Sequence, residues 1–351
     1  MPAKNQLETD VLKALAVIAV IFIHVTSAHL FTLDQAGTWQ ANLNLFFNQT
    51  YRFSVPLFVA LSGYGLAKKY LTQNLDLKDF FLRRATKILP WYFFASLLIF
   101  LAVNFIFTYD KGMYASLPLW KIFLLGHADY DLYFVPMIFQ FYLLFPLLFI
   151  VFKKFPRLTL GLALLWQIGL YLNISQHTEI THKYINDWPD QVQYFWFYSW
   201  LFYFVLGMFL AKNPELKRWG LISIIFLVVG LVWSEFNMFN LLNAAIDPIT
   251  ATRFTRLPVL LYSTGFILVG LSMAPHLLAY LSTRLLGLLS YLGRISYQTY
   301  LLHTLVIRAL LTHFILDKSI PLVVSSLVVT IVSFLFAYVL TATASLRLFR
   351  S

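Results

Sequence analysis

The stretch Asp10–His24, DVLKALAVIAVIFIH, opens an apolar run that continues to about residue 31. A run of this length suits a helix that crosses a membrane. Two basic groups interrupt it, Lys13 and His24. At about 100° per residue, eleven steps make roughly three turns, so the two side chains share one helix face about 16 Å apart along the axis. Lys13 then lies near a membrane surface and His24 near mid-bilayer. A polar side chain at that depth costs about 2 kcal/mol or more unless it faces protein or water, which makes it a functional-site candidate by default.

The rest of the chain lives in the same solvent. Of its 351 residues, 60% are apolar and 12% charged, against about 25% charged in an ordinary soluble domain. Apolar stretches recur about ten times, near residues 11–31, 44–66, 88–108, 132–152, 158–174, 195–211, 219–239, 257–273, 295–315 and 320–343. The expected architecture is an all-α polytopic membrane protein, with about ten transmembrane helices in a single bundle. The first stretch lacks a small-residue cleavage site and reads as a retained helix. The longest connections, about 67–87, 109–131, 174–194 and 240–256, leave no room for an appended soluble domain, so residues 1–351 read as one membrane domain.

Charge sets the orientation. With the N-terminus inside, 17 Lys and Arg residues fall on the cytoplasmic side, whereas the opposite side holds 6, namely Lys111, Lys121, Lys183, Arg253, Arg256 and Lys318. Short-loop Lys and Arg resist translocation, so both termini are expected in the cytoplasm. The net charge of +11 is spread over several inner loops, which suits topology and contact with the lipid bilayer. It does not call for a nucleic-acid partner. The chain has no cysteine, which excludes disulfides, thiolate metal sites and a cysteine nucleophile.

Individual polar residues have competing readings. Lys13 alone reads as a snorkelling anchor and His24 alone as a hydrogen-bonded core histidine; aligned, they describe a polar track from the cytoplasmic surface inward. In DFFLRRATKILPWY, Asp79–Tyr92, Arg84 and Lys87 share a face at i and i+3 while Arg83 points elsewhere. Positive-inside anchoring explains this cluster, and so does the binding of phosphates. Arg52 falls in the outer half of the second stretch, as a snorkelling or paired residue or a contact to donor or acceptor. Ser62 and Gly63 suit close helix packing. His303 and Arg308 lie almost half a turn apart and cannot both face one narrow site without a helix irregularity. The outer loops carry Asp34, Asp110, Asp129, Asp131, Glu179, Asp187, Asp190, Asp247 and Asp317 among Trp39, Trp120 and Trp188. Aromatic faces and carboxylates suit a glycan, although interfacial tryptophan and positive-inside bias account for the same pattern. No ligand constellation joins Asp129 and Asp131 into a metal site.

Taken together, these motifs resemble the acyltransferase 3 family, integral membrane enzymes that move acyl groups onto cell-surface glycans and related acceptors. The resemblance covers essentially the whole chain. Lys13 and His24 match an Arg, ten residues, His pattern with lysine replacing arginine. VPLFVALSGY, Val55–Tyr64, resembles VPLFFxLSGY, and Arg84–Lys87 resembles a paired-arginine motif, again with one lysine. Leu132, Tyr133, Phe134 and Pro136 resemble an LWFLP segment with Tyr for Trp, and ISYQTYLLH, Ile295–His303, is close to ISYxxYLLH. Each lysine replacement removes a bidentate fork. WLFYFVLGMFLAKN, Trp200–Asn213, is similar to a branch acting on intercellular-adhesion polysaccharide, regarded as O-succinyltransferases or as exporters.

The resemblance implies transfer of an acyl group, acetyl or succinyl, from cytosolic acyl-CoA to a glycan hydroxyl, with no tightly bound cofactor and no metal. It implies His24 as base or nucleophile, donor phosphates on Lys13, Arg84 and Lys87 with help from Arg83, and Arg52, Ser62, Tyr64, Tyr133 and His303 in supporting or acceptor-side places. A pantetheine arm of about 15 to 20 Å matches the rise from Lys13 to His24. Either role needs a neutral imidazole, so protonated His24 is expected to be inactive. An exporter or flippase using the same polar path remains open, as does a catalytically silent scaffold.

Overall fold

The structure, a computed structural model, describes residues 4–30, 38–107, 117–176, 192–215, 220–246, 248–310 and 321–347. Helices dominate, and no strand occurs among the described residues. The principal ones are α1 (Lys4–Leu30), α2 (Trp39–Thr50), α3 (Ser54–Tyr70), α4 (Leu77–Phe105), α5 (Leu119–Leu124), α6 (Phe134–Lys154), α7 (Pro156–Gln176), α8 (Leu201–Lys212), α9 (Gly220–Asn243), α10 (Leu257–Leu277), α11 (Thr283–Arg294), α12 (Ser296–Leu310) and α13 (Leu322–Arg347). Each of the ten apolar stretches is predominantly helical where described. Among the described residues, six helices are long and apolar enough to cross a membrane, in α1, α4, α6, α7, α9 and α13, and two shorter apolar ones lie in α8 and α10. The expectation is about ten spans; among the described residues six helices reach spanning length.

The shortfall has local causes. The second stretch is divided by a 3-10 turn at Tyr51–Phe53 between α2 and α3, three residues before Pro56, which offers no N–H to the preceding turn. The sixth begins irregularly, and α8 starts only at Leu201. Its lead-in backbone is satisfied by side-chain amides: Gln140 Nε2 donates to Phe195 O at 2.9 Å and its Oε1 accepts from Phe197 N at 3.1 Å. Gln167 Nε2 likewise donates to Ser199 O at 2.7 Å. Non-helical backbone at membrane depth persists where protein supplies such partners. The loop expected at about 67–87 shrinks to residues 71–76, because Asp76 caps α4 by accepting from Asp79 N at 2.8 Å.

Two compact units emerge. The first comprises residues 1–58, 217–254 and 258–351. Here α1 is central and packs against α2, α11, α12 and α13, with Ile21 and Val25 meeting Val306, Ile307 and Val329. Close approach rather than side-chain bulk joins several of its helices. A Cβ on Gly293 would lie 1.9 Å from Asp10 O, and Gly230 and Gly265 bring α9 and α10 together reciprocally. Small residues play this part in membrane helices because the apolar solvent gives little drive to associate and contact must come from packing.

The second unit comprises residues 59–216 and 255–257. Its core is aromatic: Phe141 stacks on Phe204 with centroids 4.4 Å apart, and Phe145 on Phe80 at 5.5 Å. Gly63 of α3 faces the Phe204 carbonyl and Gly207 of α8 faces the Ala60 carbonyl, so the packing role expected of Gly63 is met. Outward faces of α7, α9 and α13 carry exposed Leu165, Val232 and Leu335, an arrangement suited to lipid and costly in water.

Candidate functional site

The polar residues of α1 acquire partners that are remote in sequence. His24, half-buried, places its imidazole 5.2 Å from that of His303, centroid to centroid, with planes inclined by 36°. His303 is fully buried on α12. Its Nδ1 lies 2.6 Å from Tyr300 O, and only a protonated Nδ1 can bond a carbonyl, so in the neutral ring the lone pair resides on Nε2. The Tyr300 ring stands 5.7 Å from His303 and 6.2 Å from Phe58, which walls the pair on that side with aromatic surface. Two imidazoles in such proximity can take up and pass on a proton.

One turn above His24, a hydrogen-bonded chain ties α1 to α2. Asn48, wholly buried, donates from Nδ2 toward Ile23 O at 3.0 Å, Thr26 Oγ1 at 2.8 Å and Ser27 Oγ at 2.9 Å. Its Oδ1 accepts from Arg52 Nη2 at 2.6 Å. Arg52 also donates to Thr252 Oγ1 at 3.1 Å and covers the Phe254 ring at 4.6 Å. Arg52 is therefore held, not snorkelling, and Asn48 anchors it to the segment that carries His24. The i, i+4, i+8 spacing of Asn44, Asn48 and Arg52 marks one polar face in the sequence, a signal that attention to charged residues alone passes over.

Lys13 lies on the same helix but has a partner of its own. Its Nζ is 3.0 Å from Asp10 Oδ1, with Lys13 38% and Asp10 2% exposed. The helix begins upstream of this pair, at Lys4, so Asp10 is part of α1.

The second unit holds the remaining basic cluster. Arg83 pairs with Asp79, Nε to Oδ1 2.6 Å, on the exposed side of α4, pointing away as expected. Arg84 turns inward over Phe80 at 5.1 Å and Tyr142 at 5.6 Å, and Ser62 Oγ reaches Tyr142 Oη at 3.5 Å. The LSGY segment of α3 and the basic motif of α4 thus meet through Tyr142, a residue not singled out from sequence. Lys87 is exposed. Tyr64 is buried beneath Lys68, whose Nζ lies 5.4 Å from its ring. Tyr133, at the start of α6, is buried 6.0 Å from the Tyr194 ring.

A family described as an acyltransferase domain matches residues 7–342. The chain belongs to the acyltransferase 3 family. It is similar, at 23% identity over 315 residues, to two proteins of Staphylococcus epidermidis, one of them from strain RP62A, each named a probable poly-beta-1,6-N-acetyl-D-glucosamine export protein; the match covers 88% of this chain and 83% of the relative. No solved structure matches.

In this acyltransferase 3 member, two of the carboxylates assigned from sequence to outer loops are buried. Asp129 and Asp131 are 1% and 2% exposed, so they lie inside a tight turn and not on a surface open to a glycan. Gly126 at φ +79° makes that turn possible, since a Cβ there would come within 2.6 Å of Leu132 O. Trp39 and Trp120 are exposed. Asp34, Asp110, Glu179, Asp187, Trp188, Asp190, Asp247 and Asp317, with Lys111, Lys183 and Lys318, lie outside the described residues. Glu235, 8% exposed on α9, was not distinguished from sequence at all, although it is a lone carboxylate in an apolar run.

Proposed function

We propose that this multi-pass membrane protein is an O-acyltransferase that moves an acyl group, acetyl or succinyl, from cytosolic acyl-CoA to a hydroxyl of a cell-surface or membrane-proximal glycan. The observation that carries the reading is the His24–His303 pair, with His24 on the helix that also bears Lys13. His24 takes the acceptor hydroxyl proton as that oxygen attacks the thioester carbonyl. The new C–O bond forms, the C–S bond breaks, and the proton passes to the departing CoA thiolate. In the nucleophilic variant, His24 carries the acyl group between the two steps.

Lys13, Arg84, Lys87 and Arg83 are the donor-phosphate residues, with Arg84 seated over two aromatic rings. Arg52 sits on the acceptor side with Ser62, Tyr64 and Tyr133 in supporting places. Both termini face the cytoplasm of a bacterium, and residues 1–351 act as one domain in its plasma membrane. Transfer uses no tightly bound cofactor.

The test is mass spectrometry of surface glycans from cells expressing wild type or His24→Ala at matched protein level, supplied with isotope-labelled acyl precursor. A labelled ester made only by wild type supports transfer, and its mass identifies the group. The printed name of the staphylococcal relatives favours a second reading, glycan export along the same path. Absence of any ester, with altered surface glycan abundance, selects export.

A further inference from the structure

The junction of α6 and α7, within the second unit, gathers basic side chains that the proposed transfer does not use. Both helices are long and apolar enough to cross a membrane and Phe155 alone separates them, so the junction lies at a membrane surface. Its backbone is fixed from both sides: Phe155 N donates to Val151 O at 2.9 Å, and Phe155 O accepts from Thr159 N at 2.9 Å and Thr159 Oγ1 at 2.8 Å. Lys153 and Lys154 close α6, and Arg157 follows three residues after Lys154, which keeps the Cα atoms of Lys154 and Arg157 within about 11 Å. The end of α8 brings a fourth cation to the same place. Lys212 Nζ donates to Lys153 O at 3.1 Å, which engages one of its three N–H donors and leaves two.

The ammonium groups rest on aromatic rings, Lys153 on Phe149 at 5.7 Å, Lys154 on Phe155 at 5.2 Å and Lys212 on Phe152 at 5.8 Å. Among the described residues no carboxylate forms an ion pair with any of the four cations; Glu215, three residues past Lys212, is exposed and forms none with them. Beside this charge the helix surfaces are apolar. Leu143, Leu147 and Ile150 are exposed at i, i+4 and i+7, a stripe that reaches Lys154 at i+11, and Leu158, Leu162 and Leu165 are exposed with the same spacing on α7 after Arg157. A free phosphate would meet the cations and leave both stripes unused. A phosphatidylcholine would cover the stripes but bring its own quaternary ammonium to a site that already holds four positive groups. An anionic phospholipid answers both features, with its phosphate on the cations and its chains along the helices.

We propose that Lys153, Lys154, Arg157 and Lys212 form a site for the headgroup of an anionic phospholipid whose acyl chains lie on the exposed faces of α6 and α7. The site is independent of acyl transfer: its occupant bridges the α6–α7 hairpin to the end of α8 and so stabilises the second unit whatever the protein transfers.

Native mass spectrometry of the full-length protein in neutral detergent provides the test, with phosphatidylglycerol and phosphatidylcholine of the same acyl chains as probes. Phosphatidylglycerol is expected to bind saturably and to raise Tm, and phosphatidylcholine to bind at least about tenfold more weakly. Lys154→Gln combined with Arg157→Gln should weaken phosphatidylglycerol by about tenfold or more, whereas Arg284→Gln combined with Arg294→Gln, an equal loss of charge on α11, should leave its affinity unchanged. Excess glycerol phosphate should not displace the lipid. Should the Lys154 and Arg157 double variant fail to fold, wild type in about 0.5 M sodium chloride gives a second reading, since screening should remove most of the Tm rise caused by phosphatidylglycerol. Equal binding of the two lipids, equal losses in the two double variants, a Tm rise indifferent to salt, or displacement by glycerol phosphate, which would mark a soluble-anion site, overturns the proposal.

Discussion

His24 on α1 and His303 on α12 hold their imidazoles 5.2 Å apart, and His303 Nδ1 is committed to the Tyr300 carbonyl. The second histidine is thus fixed in one tautomer by its own helix, with Nε2 as its basic atom. A His303→Phe substitution keeps a buried ring at that position and removes that nitrogen. We expect kcat for acyl transfer to fall by about 10²-fold or more, with the donor KM unchanged. Adding His303→Phe to His24→Ala should cost nothing further, because residues that act as a unit are strongly non-additive. Steady-state kinetics on reconstituted protein distinguishes this from packing: a change confined to KM would place His303 in binding.

Asn48 supports the same segment from α2. Asn48→Leu removes the bonds to Ile23 O, Thr26 and Ser27 and deprives Arg52 of its 2.6 Å acceptor. Stranding buried donors and acceptors costs about 1–3 kcal/mol, so a clear fall in Tm is expected. Asn48→Asp keeps the acceptor for Arg52 but loses the donor to α1. Comparing Tm and kcat of the two variants separates the anchoring of Arg52 from the tether to α1.

The contrast between these two residues and His24 shows what a linear sequence discloses. His24 stands out because an apolar run surrounds it, and its helix follows from length and hydropathy. His303 becomes its neighbour only through the packing of α1 on α12, a contact that periodicity within either segment does not encode. Asp10 stands at i−3 from Lys13, a spacing that makes an ion pair on one helix face. Arg84 was legible by its spacing from Lys87, but its aromatic seat was not, since Tyr142 is one of many aromatics in an apolar helix. The sixth stretch had the composition of a span, yet its first residues depart from helix because Gln140 and Gln167 supply alternative partners from other helices.

Within the LSGYG segment, two glycines two residues apart should respond oppositely to the same change. A Cβ at Gly63 would come 2.1 Å from the Phe204 carbonyl oxygen, whereas one at Gly65 meets nothing within 4 Å. Gly63→Ala must push α3 from α8 and is expected to destabilise by about 1–3 kcal/mol. Gly65→Ala gains helix propensity and should be neutral or stabilising by up to about 1 kcal/mol. Thermal denaturation of both variants in the same detergent checks the pair, and equal losses would contradict the close approach of α3 and α8.

Arg83 and Arg84 offer a similar internal control on α4. Arg84 is seated on Phe80 and Tyr142, while Arg83 is exposed and paired with Asp79. If donor phosphates bind here, Arg84→Ala should raise the acyl-CoA KM by about tenfold, the effect of losing one charge-assisted contact. Arg83→Ala should change it little. Titration of acyl-CoA at saturating acceptor reads both, and the reverse ranking would move the donor site to the exposed face of α4.

His127 provides a pH signature outside the membrane-spanning helices. Burial, reinforced by the nearby Lys121 ammonium, holds its imidazole below the usual value. As pH falls through about 6.5 the unfolded chain takes up this proton while the folded turn resists it. The unfolded state then binds more protons, so stability falls with pH below that point and is unaffected by this group above it. His127→Gln cannot take up the proton, and its Tm should decline less than that of wild type between about pH 7 and pH 5. Parallel slopes for the two proteins across that range would show that the turn built around Gly126 admits a charged imidazole without penalty.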